Sequence, residues 1–134
     1  QITQIAYHVT DETKGPFLRF LIKEQDIKQA LIFTSSTRIA DHLVEKLKKN
    51  KIPATAIHGK KSQGARSGNL RDFKEGETQI LVATDLIGRG IHIESLPVVI
   101  NYELPRSPLD YVHRIGRTGR ANESGTAITL VTDD

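Results

Sequence analysis

The stretch that decides the fold is QALIFTSSTRIADHLVEKLKKNKIPATAI, residues 29–57. Its first six residues, Gln29–Thr34, form a short apolar run rich in strand-forming side chains. Ser36–Asn50 then switches to a helical period: Ile39, Ala40, Leu43, Val44 and Leu47 share one face, while Lys46, Lys48 and Lys49 suit the negative C-terminal end. Pro53–Ile57 returns to a strand pattern. Strand, helix and strand within so short a span make a crossover unit, which places the two strands parallel in one sheet.

The same alternation runs outward in both directions. Ile2–Val9 reads as a strand and Asp11–Gln25 as a helix, with Asp11 as its N-cap and Pro16 in the first turn. Ser62–Glu75 is a weaker helix, loosened by Gly64 and Gly68 and stopped at Gly76. Gln79–Ala83 and Pro97–Tyr102 are further strands. Ser107-Pro108-x-Asp110 opens a helix with a capping serine, and Thr126–Val131 closes the chain as a strand. The expected architecture is α/β: one domain over residues 1–134, an open and mainly parallel sheet with helices on both faces. Ligands of such sheets sit at the carboxyl ends of the strands. The loops after Phe33, Ile57, Ala83 and Tyr102 are therefore the places to look for function.

Composition narrows the chemistry. The chain has no cysteine, which excludes disulfides and thiolate metal sites. Its five histidines lie at 8, 42, 58, 92 and 113, with no metal-ligand spacing, and are expected in structural or surface roles. No segment has the length of a transmembrane helix and no signal peptide opens the chain, so a cytoplasmic or nuclear setting without membrane contact is expected, cytoplasmic first. The Gln1 start points to a fragment of a longer protein.

The net charge of +3 says little, but its distribution says more. No acid lies between Ile57 and Arg71, where Lys60, Lys61, Arg66 and Arg71 fall, and none between Val112 and Ala121, where Arg114, Arg117 and Arg120 fall. Acid-free basic segments suit anionic ligands such as phosphates.

Four segments carry candidate chemistry. His58-Gly59-Lys60-Lys61-Ser62 echoes a phosphate-binding loop, but the earlier glycine and the Gly-Lys-Ser/Thr order are missing, so it is not a P-loop. Thr84-Asp85, followed by Gly88-Arg89-Gly90, could hold a phosphate, though taken alone it reads more readily as an ordinary glycine-rich connection. In His113–Arg120 (HRIGRTGR) two Gly-Arg units three residues apart begin on a capped helix. Guanidinium forks fit phosphate oxygens and stabilise charge in phosphoryl transfer, and the phosphate reading is preferred over a solvated basic turn. Thr34–Arg38 is a hydroxyl cluster that caps a helix and could also receive a nucleic-acid phosphate.

Taken in order, these segments resemble the C-terminal RecA-like domain of DEAD-box RNA helicases. Leu31–Arg38 is similar to the family's motif IV, and His58–Arg66 to its Gln-x-x-Arg segment, here Gln63 and Arg66. Leu81–Ile93 resembles motif V, Ile100–Pro105 the strand and turn after it, and His113–Arg120 motif VI. The resemblance implies a P-loop NTPase-type fold without its own P-loop, closing on an N-terminal RecA-like domain that binds ATP and Mg2+. It implies that Arg117 and Arg120 act as arginine fingers, and that Gly90 and His92 contact the nucleotide. Arg89, His113 and Arg114 would hold the two domains together. Ser35, Ser36, Gly59, Arg66 and Thr84 would touch the backbone of single-stranded RNA, largely without regard to base sequence.

Two departures stand out. His92 occupies a motif V position where the family usually has Asp, which implies an altered nucleotide grip. The N-terminal domain and the family's usual helix after the last strand are both missing, and some apolar sheet is expected to be exposed. The expectation is a monomeric half of an ATP-dependent RNA helicase, inactive as an ATPase alone. The rival is a freestanding clamp for RNA or protein without ATP chemistry. A DNA-directed relative is disfavoured by the His that begins motif VI.

Overall fold

The computed structural model describes residues 2–60, 62–84, 96–105, 107–115 and 125–133. The described elements in chain order are β1 (Ile2–His8), α1 (Lys14–Glu24), β2 (Ala30–Thr34), α2 (Thr37–Lys49) and β3 (Ala54–Ile57). There follow α3 (Gln63–Lys74), β4 (Ile80–Thr84), β5 (Val98–Asn101), α4 (Pro108–Ile115) and β6 (Gly125–Val131). The strands make one six-stranded sheet in the order β1-β6-β5-β2-β4-β3, and every pairing is parallel.

The central strands explain why residues 29–57 read so clearly. β2 and β4 are buried at all five positions, as strands covered on both faces must be. Because side chains alternate, Ile32 and Val82 join one core with Leu18, Leu43 and Leu47 from α1 and α2. Leu31, Phe33, Leu81 and Ala83 join a second core with Phe73 of α3. The guanidinium of Arg114, on α4, lies 5.2 Å from the Phe33 ring centroid, which puts α4 on the α3 side. Helices therefore cover both faces, as the alternation implied. The edge strand β1 is mostly exposed, with Ile5 at 36% and the neighbouring helix residue Phe20 at 57%.

The helix starts follow local chemistry. Ser36 accepts from the Ile39 amide at 3.2 Å, Ser62 from Ala65 at 3.1 Å and Ser107 from Asp110 at 3.1 Å. Asp11 is not the cap expected for α1. Thr10 and Thr13 instead exchange amide-to-hydroxyl bonds at 3.0 and 3.2 Å, a reciprocal box that sets the chain turning before the helix begins at Lys14. Pro16 still falls in the first turn, where its missing N–H costs nothing. The backbone turns left-handed after each of the first three helices, at Asp26, Lys51 and Gly76.

Candidate nucleic-acid interface

A fully parallel sheet brings the carboxyl ends of all its strands to one edge. Across that edge the order is β5, β2, β4, β3, so the strand ends at Asn101, Thr34, Thr84 and Ile57 lie side by side. Between β5 and β2 the connections diverge. The chain leaves β2 through α2 on one face and leaves β5 through α4 on the other, which opens a crevice at the carboxyl end of both strands.

The expected RNA-contacting residues converge on this edge. Thr34 and Thr84 are register partners on β2 and β4, so Ser35 and Ser36 sit beside Thr84. Gly59 follows β3, the next strand over, and Arg66 stands in the second turn of α3 just beyond it. A Cβ at Gly59 would meet nothing within 4 Å, so packing does not demand glycine there, while its absence of side chain leaves the loop open to approach. Gln63 accepts from Arg66 Nη2 at 2.8 Å and fixes the guanidinium. The Arg66 Nε is buried with no hydrogen-bond partner among the described residues. An unsatisfied guanidinium donor is costly, and a phosphate oxygen is what its geometry fits.

The sequence reading gave no role to Glu103, which lies at the crevice. Its carboxylate accepts from the Ser35 amide at 2.7 Å and from the Ser35 hydroxyl at 2.8 Å. The signal was present, an acid two residues beyond a strand at the ligand edge, but an exposed acid in a turn is usually just solvated. Beside it Tyr102 is buried, and its phenol is pushed up from 10.0, first by that burial and then by the Glu103 charge. The Lys14 ammonium lies 4.6 Å over the Tyr102 ring centroid, at the floor of a cavity of about 430 Å³ between α1 and α2.

His58 was expected in a structural or surface role, and its geometry is structural. It is 3% exposed, and its Nδ1 accepts the Lys60 amide at 3.2 Å. Its Nε2 lies 2.9 Å from Asp41 Oδ1, within hydrogen-bond distance. The ring thus ties the start of the β3–α3 loop, with Gly59 in it, to α2.

Of the residues expected at a domain contact, His113 and Arg114 are described. His113 is exposed on α4. Arg114 is 1% exposed and is engaged within this domain: Nη1 donates to Asn101 Oδ1 at 3.1 Å and to the Glu103 carbonyl at 2.6 Å. Asn101, itself fully buried, donates onward to Thr129 at 3.1 Å. Neighbours on a helix point about 100° apart, which is why one residue faces solvent and the next the core. Arg89, Gly90, His92, Arg117 and Arg120 lie outside the described residues. Among those described, no group of three metal-ligating side chains occurs and no helix is long and apolar enough to cross a membrane.

Known proteins resemble this chain over nearly its whole length. The family model of the helicase conserved C-terminal domain matches residues 13–122. ATP-dependent RNA helicase dbp2 of Aspergillus niger is 45% identical over 137 aligned residues, covering 100% of this chain and 24% of that protein. The chain thus spans about a quarter of the length of the curated relatives it matches. The crystal structure of a DEAD box protein from the hyperthermophile Methanococcus jannaschii superposes with a TM-score of 0.92 at 39% identity, over 98% of this chain and 36% of that one. Dbp5 of S. cerevisiae, solved bound to RNA and ADP BeF3, gives 0.87 at 31% identity over 98% of this chain and 35% of that one.

Proposed function

The chain belongs to the DEAD-box ATP-dependent RNA helicases, as their helicase C-terminal domain, and from that premise we propose that it forms half of an RNA-remodelling ATPase. It binds the backbone of single-stranded RNA along the carboxyl edge of β2, β4 and β3, and it closes on an N-terminal RecA-like domain elsewhere in the protein. That domain holds ATP and Mg2+.

One observation carries the RNA reading. Arg66 presents a positioned guanidinium whose buried Nε lacks a partner among the described residues, on the same carboxyl edge of the sheet as Gly59, Ser35 and Thr84. Donors spread over three adjacent strand ends suit a polyanion, whose phosphates repeat, better than a single small ligand. Dbp5, bound to RNA in its solved complex, has the same fold. Contacts of this kind read no base, so affinity is expected to vary little with sequence and to fall with salt.

The nucleotide half of the proposal rests on sequence. Arg117 and Arg120 reach toward the terminal phosphate across the domain cleft and stabilise charge as phosphoryl transfer proceeds. Gly90 and His92 line the same nucleotide, and Arg89 and His113 contribute to the domain contact. Closure on ATP strains the bound strand, and a short duplex opens locally. The protein is proposed to work as a monomer in the cytoplasm.

The test is ATP hydrolysis by the full-length protein with and without RNA, for the natural sequence, Arg66→Ala and Arg117→Ala. RNA stimulation should need a higher RNA concentration in Arg66→Ala and should vanish in Arg117→Ala. Hydrolysis untouched by Arg117→Ala would sink the finger assignment, and an unchanged RNA requirement in Arg66→Ala would sink the edge.

A further inference from the structure

Ser35 offers two donors at the crevice, its amide and its hydroxyl, and the two carboxylate oxygens of Glu103 take one each, at 2.7 and 2.8 Å. Two donors converging on two oxygens of one anion is also the geometry that receives a phosphate. Each donor carries a single proton. A phosphate and the Glu103 carboxylate therefore cannot both occupy the seat, and their like charges repel. We propose that Glu103 is a resident stand-in for an RNA backbone phosphate, which the strand must displace to reach Ser35. The inference rests on the RNA reading above and concerns the regulation of that same edge.

Two further features fit a displaceable occupant. No lysine, arginine or histidine among the described residues forms an ion pair with Glu103, so Ser35 is the carboxylate's partner there. The Glu103 main chain is held firmly, because the buried Arg114 donates to its carbonyl at 2.6 Å. The side chain can swing away while the turn stays in place. The contact is exposed, so water can take over the released groups at modest cost.

The consequence is selectivity by valence. A ligand with a single phosphate must evict the carboxylate and gains nothing beyond the seat. A strand evicts the same carboxylate but is held at the same time by Arg66, Thr84 and the Gly59 loop, so eviction is a small fraction of its binding. Stray small anions are thus kept off the edge while RNA is admitted.

The test uses the chain with Glu103→Ala and Glu103→Gln, the second keeping the side-chain volume in case the first disturbs the turn. Binding of a fluorescent oligouridylate at fixed salt should tighten about fivefold in Glu103→Ala, the effect of releasing roughly one net hydrogen bond. The gain should shrink when Ser35→Ala is added. Independently, the amide resonance of Ser35 should shift on addition of inorganic phosphate in Glu103→Ala and stay still in the natural sequence. A Ser35 amide indifferent to phosphate in the variant overturns the proposal. So does RNA affinity equal to or weaker than natural in both Glu103 variants while Arg66→Ala still weakens it. If the amide responds but neither Arg66→Ala nor the Glu103 variants alter RNA binding, Glu103 guards an anion seat and it is the RNA reading that falls.

Discussion

Replacing Arg114 by Ala separates two roles that the same arginine could play. If it mainly holds two domains together, its loss leaves the stability of this chain untouched. The structure gives it work inside the domain: a guanidinium 1% exposed, stacked over Phe33, donating to Asn101 Oδ1 and to the Glu103 carbonyl. Truncation removes a charged donor from both acceptors, and the fully buried Asn101 then has an oxygen that water cannot easily reach. Two charge-assisted bonds and an unsatisfied buried acceptor put the loss at about 3–5 kcal/mol. That is a large share of the roughly 5–15 kcal/mol that keeps a domain folded.

The assay is urea unfolding of the chain followed by circular dichroism. With an m-value of about 2 kcal/mol/M the midpoint should fall by roughly 2 M, and the thermal midpoint by about 10–20 °C. Arg114→Lys should recover less than half of the loss, since an ammonium keeps the charge but cannot reproduce the flat fork over the Phe33 ring. A loss under about 1 kcal/mol for Arg114→Ala would rule out this structural role, because a buried cation with these partners cannot be removed so cheaply.

Three further outcomes follow from the structure. Gly68→Ala should stabilise the chain by about 0.5–1 kcal/mol, read from the urea midpoint, because its Cβ would meet only the end of Arg71 at 3.8 Å in a helix that glycine loosens. Gly59→Ala should change stability by less than about 0.5 kcal/mol, since its Cβ meets open space, yet weaken binding of oligouridylate in a fluorescence titration. The Tyr102 phenol is raised by burial first and by Glu103 second, so the unfolded chain gives up that proton before the folded one. Its contribution is fully present below the ordinary value of 10.0 and is lost as pH rises through the folded value; Tyr102→Phe should therefore lose less stability than the natural chain across that alkaline window.

The fold was legible because its signals were redundant. In β2 and α2, apolar run, helical period, serine cap and lysine-rich end all pointed the same way, and the boundaries fell within a residue of Gln29–Thr34 and Ser36–Asn50. Asp11 misled because an acid ahead of an apolar period usually caps, whereas here two threonines three apart satisfy each other and set the chain turning before the helix begins. The edge residues Ser35, Thr84 and Gly59 could be placed from topology alone, since parallel strands deliver every following loop to one side. What sequence could not give was the pairing across that edge. Glu103 and Ser35 are 68 residues apart, as His58 and Asp41 are 17 apart, and nothing in either segment names its partner. The same limit holds for Arg114. The resemblance to motif VI sets it at the domain contact together with His113, but a helix sends successive side chains about 100° apart, and the position after exposed His113 turns into the core. A run of arginines in one motif therefore need not share one task. Arg114 anchors the very turn that carries Glu103, so the motif proposed to serve the nucleotide also sets the position of the carboxylate at the proposed RNA edge.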